Sequence, residues 1–305
     1  MVEVFKTALN GEEICTKCSK LQAKHFEIQL LSGDEVLLSN EDRVREIIMK
    51  IPDVVSVHSR LTHDNVTLPN GNVDIKFLEY APVREALIEA CSLADMCAKR
   101  YNHPIGIVVH NSLSYDEFIK IPSIKDTIVD FLDAILNKVD SRVELWIENV
   151  TLIKVEDRVI FRNGTHSDTS DIALYLNSVF GGRVFTVFDT CHAMTTARIL
   201  NAVGLGNVAG SVLTETLRAF SRNCKEVHLS NVINYGFNKG EHGCGFIDMK
   251  DTKDLEFILT LIKEYVPTAF LCYEIGEKDY LKNENTIATR KNVIVTDCVK
   301  GILES

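Results

Sequence analysis

The sequence lacks the features that mark several large classes of protein. Its 305 residues contain no apolar run long enough to cross a bilayer, and residues 1–6 do not lead into the apolar core of a signal peptide. A glycine-rich dinucleotide motif and a P-loop are also missing. These absences predict a cytoplasmic protein with no membrane partner, and they count against a doubly wound nucleotide-binding sheet.

Basic residues are in the minority. The chain has 33 Lys and Arg against 43 Asp and Glu, which gives a formal net charge of −10. Proteins that hold nucleic acid without sequence preference neutralise its phosphates with Lys and Arg, so this balance disfavours such a role. It does not exclude a specific nucleic-acid substrate, because the charge of a bound metal ion can dominate the field of a site.

The cysteines do not suggest a disulfide framework. There are nine, an odd number, scattered along the chain, and we expect reduced thiols that pack as small apolar side chains. Cys15 and Cys18 form one CxxC motif without a second pair, so helix packing is favoured over a metal site. No internal repeat or low-complexity linker divides the chain, and residues 1–305 are expected to form a single domain.

Strand-like and helix-like segments alternate along the chain. Eight segments have the apolar, β-branched pattern of buried strands, with helical periodicity between them. This alternation predicts an α/β fold, a (βα)8 TIM barrel. Residues 155–161, followed by the Asn163-Gly164 turn, are predicted to form an added β-arm. In the tail, residues 283–303, the segment 292–299 is expected to be either a strand or a closing helix. The predicted barrel strands are residues 2–6, 25–31, 54–58, 105–110, 143–148, 184–188, 225–228 and 268–274.

Ionisable residues recur at the C-terminal ends of the predicted strands, where TIM barrels form their active sites. One His or carboxylate there is explained more simply as a helix cap or a structural hydrogen-bonding group. Several at the same end indicate a metal site, because imidazoles and carboxylates bind Zn²⁺ and Mn²⁺, and buried carboxylates without a cation repel one another. The six residues are His58, His110, Glu148, Asp189, His228 and Glu274.

Two further histidines extend this set. His192 follows Asp189 by three residues, and His242 lies in a predicted glycine-rich loop, residues 239–245. Eight candidate ligands exceed the number that one metal requires, which predicts two or three metal ions. The other histidines that we considered are expected to be solvated, namely His25, His63, His103 and His166.

Four segments resemble the successive signatures of endonuclease IV (AP endonuclease family 2), a member of the xylose isomerase-like TIM-barrel superfamily. They are Ile147-Glu148-Asn149, Asp189-Thr190-Cys191-His192-Ala193, His228-Leu229-Ser230-Asn231 and Glu241-His242.

The resemblance implies up to three zinc sites, with Mn²⁺ as another metal to consider. The first zinc would be held by His58, His110 and Glu148. The second would be held by Glu148, Asp189, His228 and Glu274. The third would be held by His192, His242 and an Asp, but the position of that Asp is Gly240 here, so that Glu241 would have to supply the oxygen.

The function implied by the resemblance is phosphodiester hydrolysis at abasic sites in DNA, with no obligatory protein partner. Paired metals activate a water and neutralise the leaving oxygen. Glu148 and Glu274 are the catalytic candidates, the first bridging the metal ions and the second orienting the nucleophile. Against this function, no aromatic residue follows His58 to enter DNA, and Leu61 offers only a partial wedge.

Two other functions stay open. A sugar or sugar-phosphate isomerase or epimerase of the same superfamily would bind one metal through Glu148, Asp189, His228 and Glu274. Two carboxylates would then move a proton on the substrate, and His192 would contact a sugar hydroxyl. Such an enzyme leaves His58, His110 and His242 without a necessary task, which favours the hydrolase. The third function is that of a non-catalytic barrel that keeps a metal for structure.

Overall fold

The computed structural model of the chain closes eight strands into a barrel. It describes residues 1–61, 73–151, 153–155, 158–160, 166–202, 204–206, 211–236, 239–248 and 252–296, with residues 153–155, 158–160, 166, 234–236, 239–242 and 252 described by their backbone alone. The strands in chain order are β1 (Glu3–Ala8), β2 (His25–Gln29), β3 (Asp53–His58), β4 (Ile105–Asn111), β5 (Val143–Asn149), β6 (Ile153–Val155), β7 (Arg158–Ile160), β8 (Val184–Asp189), β9 (Cys224–Leu229), β10 (Asn231–Gly236), β11 (Lys239–Cys244) and β12 (Phe270–Tyr273).

The barrel strands are all parallel to their neighbours. Their order around the barrel is β1-β12-β9-β8-β5-β4-β3-β2, while β6-β7 and β10-β11 form two separate antiparallel hairpins. The register places His110 opposite Glu148 and Asp189 opposite His228. The predicted TIM-barrel fold is therefore confirmed, and the strand ends that carry the candidate ligands meet on one face.

Helices cover the outside of the barrel, and local capping fixes where several begin. The Asn10 side chain accepts from the backbone N–H of Glu12 at 2.9 Å, and Ser114 and Glu117 form a reciprocal capping box. No helix within the described ranges is long and apolar enough to cross a membrane. The helices are α1 (Gly11–Leu21), α2 (Asp34–Leu38), α3 (Glu41–Ile48), α4 (Ala81–Tyr101), α5 (Tyr115–Lys120), α6 (Pro122–Leu136), α7 (His166–Val179), α8 (Thr190–Ala202), α9 (Val212–Phe220), α10 (Thr252–Tyr265) and α11 (Glu284–Val295), with a 3₁₀ turn at Ile75–Phe77.

The irregular segments agree only in part with the predictions made for them. The predicted glycine-rich loop at residues 239–245 is wrong in its first six residues, because they form β11 and pair with β10. The predicted β-arm is the β6-β7 hairpin, which begins two residues earlier than expected. In the C-terminal segment, the helix rather than the strand is correct up to Val295. His63, the Asn163-Gly164 turn and residues 297–305 lie outside the described residues.

The barrel encloses a small inner core in addition to the larger layer between strands and helices. Val4, Val55, Val108, Val187 and Cys272 pack around the buried Trp146 ring.

Trp146 fits there because its neighbour is a glycine. A Cβ atom on Gly106 would lie 2.1 Å from Trp146 Cδ2, so only glycine leaves room for the indole. The indole Nε1 donates to Glu144 Oε2 at 2.9 Å, which satisfies its only polar group. This inner core fills the barrel beneath the ionisable residues.

Candidate metal centre

The candidate site is built from alternate, inward-facing positions of the strands. In β5, Trp146 belongs to the inner core, and Glu148 lies two residues further along on the same face. The same step leads from Val187 to Asp189 in β8. Both strands therefore change from an apolar to an ionisable inward residue as they approach the C-terminal face, and closure of the barrel brings the ionisable residues together.

Glu148 lies at the centre of the group and is 1% exposed. Its Oε2 is 3.0 Å from His58 Nε2 and 3.6 Å from His110 Nε2. Its Oε1 is 3.3 Å from His192 Nδ1 and 3.5 Å from His228 Nδ1. One carboxylate thus faces four imidazoles, two on each oxygen.

A second group of ligand atoms shares Glu148 and includes the remaining carboxylates. Ligand atoms of Glu148, Asp189, His228 and Glu274 all lie within 4.8 Å of one another, and so do those of His58, His110 and Glu148. His228 Nδ1 is 2.8 Å from Glu274 Oε2. The two predicted ligand sets that share Glu148 are therefore both assembled in space, and His58 and His110 face Glu148 as a multinuclear site requires.

Asp189 has two tasks, one for each oxygen. Its Oδ1 accepts from the backbone N–H of His192 at 2.6 Å, so Asp189 caps the start of α8. The side chain of Asn149 accepts from the backbone N–H of Asp189 at 2.8 Å and donates to its carbonyl at 3.1 Å. The cap and this clamp fix the carboxylate so that Oδ2 faces the ligand group. Asp189 can therefore be both a helix cap and a metal ligand.

His192 reaches the group from the first turn of α8. Its Nδ1 donates to the carbonyl of Asn149 at 2.6 Å and is 3.7 Å from Asp189 Oδ2. Among the described residues, no group of ligand atoms at metal-binding spacing includes His192. The backbone of His242 lies in β11, but its side chain and that of Glu241 lie outside the described residues, so the third implied zinc site stays a prediction.

The charges in this group depend on one another. Burial disfavours the charged form of His192, but Asp189 and Glu148 beside it raise its pKa to about 9. Burial raises the pKa of Asp189 to about 7, whereas burial lowers that of His110 to about 3. Burial opposes ionisation of Glu148 too, yet His228 and His110 hold its pKa well below the usual range. Without a metal, protonated imidazoles supply the positive charge that the carboxylates require.

The residues present fit a divalent cation, as four orphaned atoms indicate. Glu148 Oε1, Asp189 Oδ2, His228 Nδ1 and Glu274 Oε2 are buried and lack a hydrogen-bond partner of good geometry among the described residues. Buried polar atoms are normally paired. The four residues that carry these atoms form one ligand group. Three carboxylates with one imidazole are a donor set that Mn²⁺ and Zn²⁺ accept.

Two functional candidates, Lys6 and Glu27, were missed by the sequence analysis because it considered only strand ends. Lys6 Nζ is 2.6 Å from Glu274 Oε1 and 3.1 Å from Glu27 Oε1. Glu27 Oε2 is 3.1 Å from His228 Nε2. The signal was available, since Lys6 directly follows the buried Val4 and Phe5 in β1, and Glu27 lies between the buried Phe26 and Ile28 in β2.

A cavity opens beside Glu274 at the same face. It measures about 350 Å³, and both Lys6 and Glu274 line it. Its other walls are mixed, with Thr7 and Gln29 offering polar groups and Tyr280 an aromatic ring. This volume suits a small molecule.

The comparisons with known proteins identify the fold. No family model matches the sequence, and no curated protein matches it as a relative. Among solved structures, a D-tagatose 3-epimerase-like protein matches with a TM-score of 0.54 and 15% sequence identity over 96% of this chain and 98% of that chain. The two proteins share one fold.

A second solved structure adds no argument. A spore cortex-lytic enzyme, SleL of Bacillus cereus, matches over 95% of this chain and 75% of that chain with 10% identity, and its TM-score of 0.42 is too low to support an argument. Endonuclease IV is not singled out by these matches.

Proposed function

We propose that the chain is a metal-dependent isomerase or epimerase that acts on a small sugar. The observation that carries the proposal is the group of four orphaned ligand atoms on Glu148, Asp189, His228 and Glu274, beside a cavity of small-molecule size. The fold shared with the D-tagatose 3-epimerase-like protein supports a ketose as the first substrate to test. This proposal replaces the hydrolase as the preferred function.

The position of each residue suggests its role in the proposed reaction. Glu148, Asp189, His228 and Glu274 would hold the metal, which when bound would draw charge from a substrate oxygen and so acidify the neighbouring C–H. Glu274 borders the cavity, where it would remove the proton from that carbon. Glu274 would then return the same proton to the adjacent carbon, which completes an isomerisation. In an epimerisation Glu274 would keep that proton, and Glu148, held by His58 on its other side, would have to be protonated beforehand to deliver a second proton to the opposite face of the same carbon.

The cavity favours a neutral sugar over a sugar phosphate. Lys6 is the cation that lines it among the described residues, and both Glu27 and Glu274 already neutralise Lys6. A phosphate group would therefore find no uncommitted positive charge in this part of the wall.

Exchange of substrate hydrogen with solvent tests the proposal directly. We expect the Mn²⁺-loaded protein to incorporate deuterium from D₂O into one carbon of a ketohexose, as measured by NMR over a panel of ketoses and aldoses. Glu274→Gln should reduce the exchange rate roughly 10²- to 10⁴-fold, because it removes a proton-transfer group. Glu144→Gln, a buried carboxylate elsewhere in β5, is the matched control and should keep the rate. Absence of exchange with every sugar would contradict the proposal.

A metal-dependent phosphodiester hydrolase is the second candidate, and the contacts of His58 and His110 with Glu148 favour it. These two imidazoles would hold a second metal that a one-metal isomerase does not require. A hydrolase of this kind should contain two tightly bound ions per chain by elemental analysis and should nick a duplex that carries an abasic site. One ion per chain without nicking would refute it.

A further inference from the structure

Glu27 contacts the imidazole of His228 on the side opposite the candidate metal. Glu27 is fully buried in β2, and its Oε2 is 3.1 Å from His228 Nε2. A carboxylate accepts hydrogen bonds, so Nε2 carries the ring proton and donates it to Glu27. The lone pair of the neutral ring is then on Nδ1, the nitrogen that lies 3.5 Å from Glu148 Oε1 and 2.8 Å from Glu274 Oε2.

Lys6 contacts Glu274 in a corresponding way. Its Nζ donates to Glu274 Oε1 at 2.6 Å, which leaves Glu274 Oε2 facing His228 Nδ1 at 2.8 Å. Lys6 Nζ is also 3.1 Å from Glu27 Oε1. A chain of contacts therefore runs from Glu274 through Lys6 and Glu27 to His228, and it occupies the atoms of the two ligands that face away from the metal position.

We propose that Lys6 and Glu27 act as one positioning pair, which orients His228 and Glu274 so that Nδ1 and Oε2 converge on the same metal ion. Neither residue ligates the metal. The inference rests on the metal-binding part of the proposed function but does not depend on the substrate. Groups behind metal ligands typically set affinity as well as orientation, since they fix the tautomer of a histidine and the rotamer of a carboxylate.

Glu27 also belongs to a second group of candidate metal ligands. Ligand atoms of Glu27, Glu226, His228 and Cys272 also lie within 4.8 Å of one another, as in a second, deeper metal site. Cations and donors already present make this less favourable. Lys6 neutralises Glu27, and the Ser56 hydroxyl lies 2.9 Å from Glu226 Oε2 and 3.3 Å from Glu27 Oε2. A further dication would have to displace the Lys6 ammonium from an enclosed space, at a large electrostatic cost.

Metal affinity tests the pair through a readout other than turnover. Titration of the metal-free protein with Co²⁺, followed by visible absorption, gives the affinity and the number of ions. We expect Glu27→Gln and Lys6→Met each to weaken Co²⁺ binding about 10- to 100-fold. The double variant should lose less than the product of the two effects, because each single change leaves the other partner's charge uncompensated. Lys6→Arg, which keeps the cation, should recover most of the affinity, and Glu144→Gln should bind as the unchanged protein does.

The tautomer of His228 gives a test that needs no variant of the pair. In the Zn²⁺-loaded, ¹⁵N-His-labelled protein, NMR should show the His228 proton on Nε2, with the signal assigned by its loss in His228→Gln. A proton on Nδ1 would refute the positioning role of Lys6 and Glu27. Co²⁺ affinities of both single variants equal to that of the unchanged chain would refute it too. Two Co²⁺ ions, of which Cys272→Ser removes one, would instead establish the deeper site. If the unchanged chain binds no metal, both the proposed function and the role of Lys6 and Glu27 are refuted. If the unchanged chain and the variants bind metal equally well, only the role of Lys6 and Glu27 is refuted.

Discussion

Removal of a metal ion from the site formed by Glu148, Asp189, His228 and Glu274 should lower the melting temperature of the protein. A ligand that binds only the folded state stabilises it by mass action, by about 2.7 kcal/mol at a free concentration 100 times its Kd. The entropy of unfolding is about 2.1 cal/mol/K per residue, or roughly 0.64 kcal/mol/K for the 305 residues of this chain. The ratio predicts a rise in Tm of about 4 °C when the metal is restored at that concentration.

Differential scanning fluorimetry on chelator-treated protein, with and without added Mn²⁺ or Zn²⁺, measures this shift. Glu148→Gln should abolish it, because the change removes the charge of the one carboxylate that both ligand groups share. Glu144→Gln makes the same chemical change four residues earlier in the same strand and should keep the full shift. An equal rise in Tm for Glu148→Gln would mean that the metal binds elsewhere. No rise in the unchanged protein would mean that the orphaned atoms do not form a metal site.

Two further predictions concern stability. At the opposite end of the barrel, Asp53 accepts from His103 at 2.6 Å and lies 2.7 Å from His25 Nδ1. The hydrogen bond to Asp53 raises the pKa of His103, so its stabilising contribution is complete below the unfolded-state pKa of about 6.5 and is lost as pH rises through the raised value. Asp53→Asn should flatten the fall of Tm with rising pH above about 6.5, and an unchanged slope would contradict this. Gly106→Ala would place its Cβ 2.1 Å from the Trp146 ring and should destabilise the fold by about 1–3 kcal/mol or more in urea denaturation. Trp146→Leu should relieve part of that loss, and an equal loss in both backgrounds would refute the packing argument.

The barrel was predictable because the sequence pattern and the closed sheet impose the same alternation. Parallel strands buried on both sides appear as short apolar runs, and their C-terminal ends are on one face of a barrel whatever the register. For this reason His58, His110 and Glu148, from three strands consecutive in the barrel, could be expected near one another. Their distances depend on the shear of the barrel, which no local pattern encodes.

The residues and segments that the sequence did not reveal depend on contacts between distant parts of the chain. Lys6 and Glu27 lie inside strands rather than at their ends, and a charged residue within an apolar strand can equally face solvent between helices. Only the alternation that puts Lys6 two residues after the inner-core Val4 places it in the barrel interior. The β10-β11 hairpin was predicted as a loop because glycines at 240, 243 and 245 suppress the strand signal. Backbone pairing between the two segments overrides that propensity.

The two enzyme functions share most of a site and differ mainly in the use of one atom. Glu148 Oε1 faces His192 and His228, which is the side that a one-metal isomerase needs. Glu148 Oε2 faces His58 and His110. His58 Nδ1 donates to the carbonyl of Ser59 at 2.8 Å, so Nε2 donates to Oε2 only when both ring nitrogens are protonated. In that form His58 orients Glu148 and has a function without a second metal. If a metal replaces that hydrogen bond, Glu148 becomes a bridge and the chemistry becomes that of a two-metal hydrolase. The hydrolase implied by the resemblance and the proposed isomerase or epimerase therefore depend on the same carboxylate of this chain, and the number of ions bound per chain separates them.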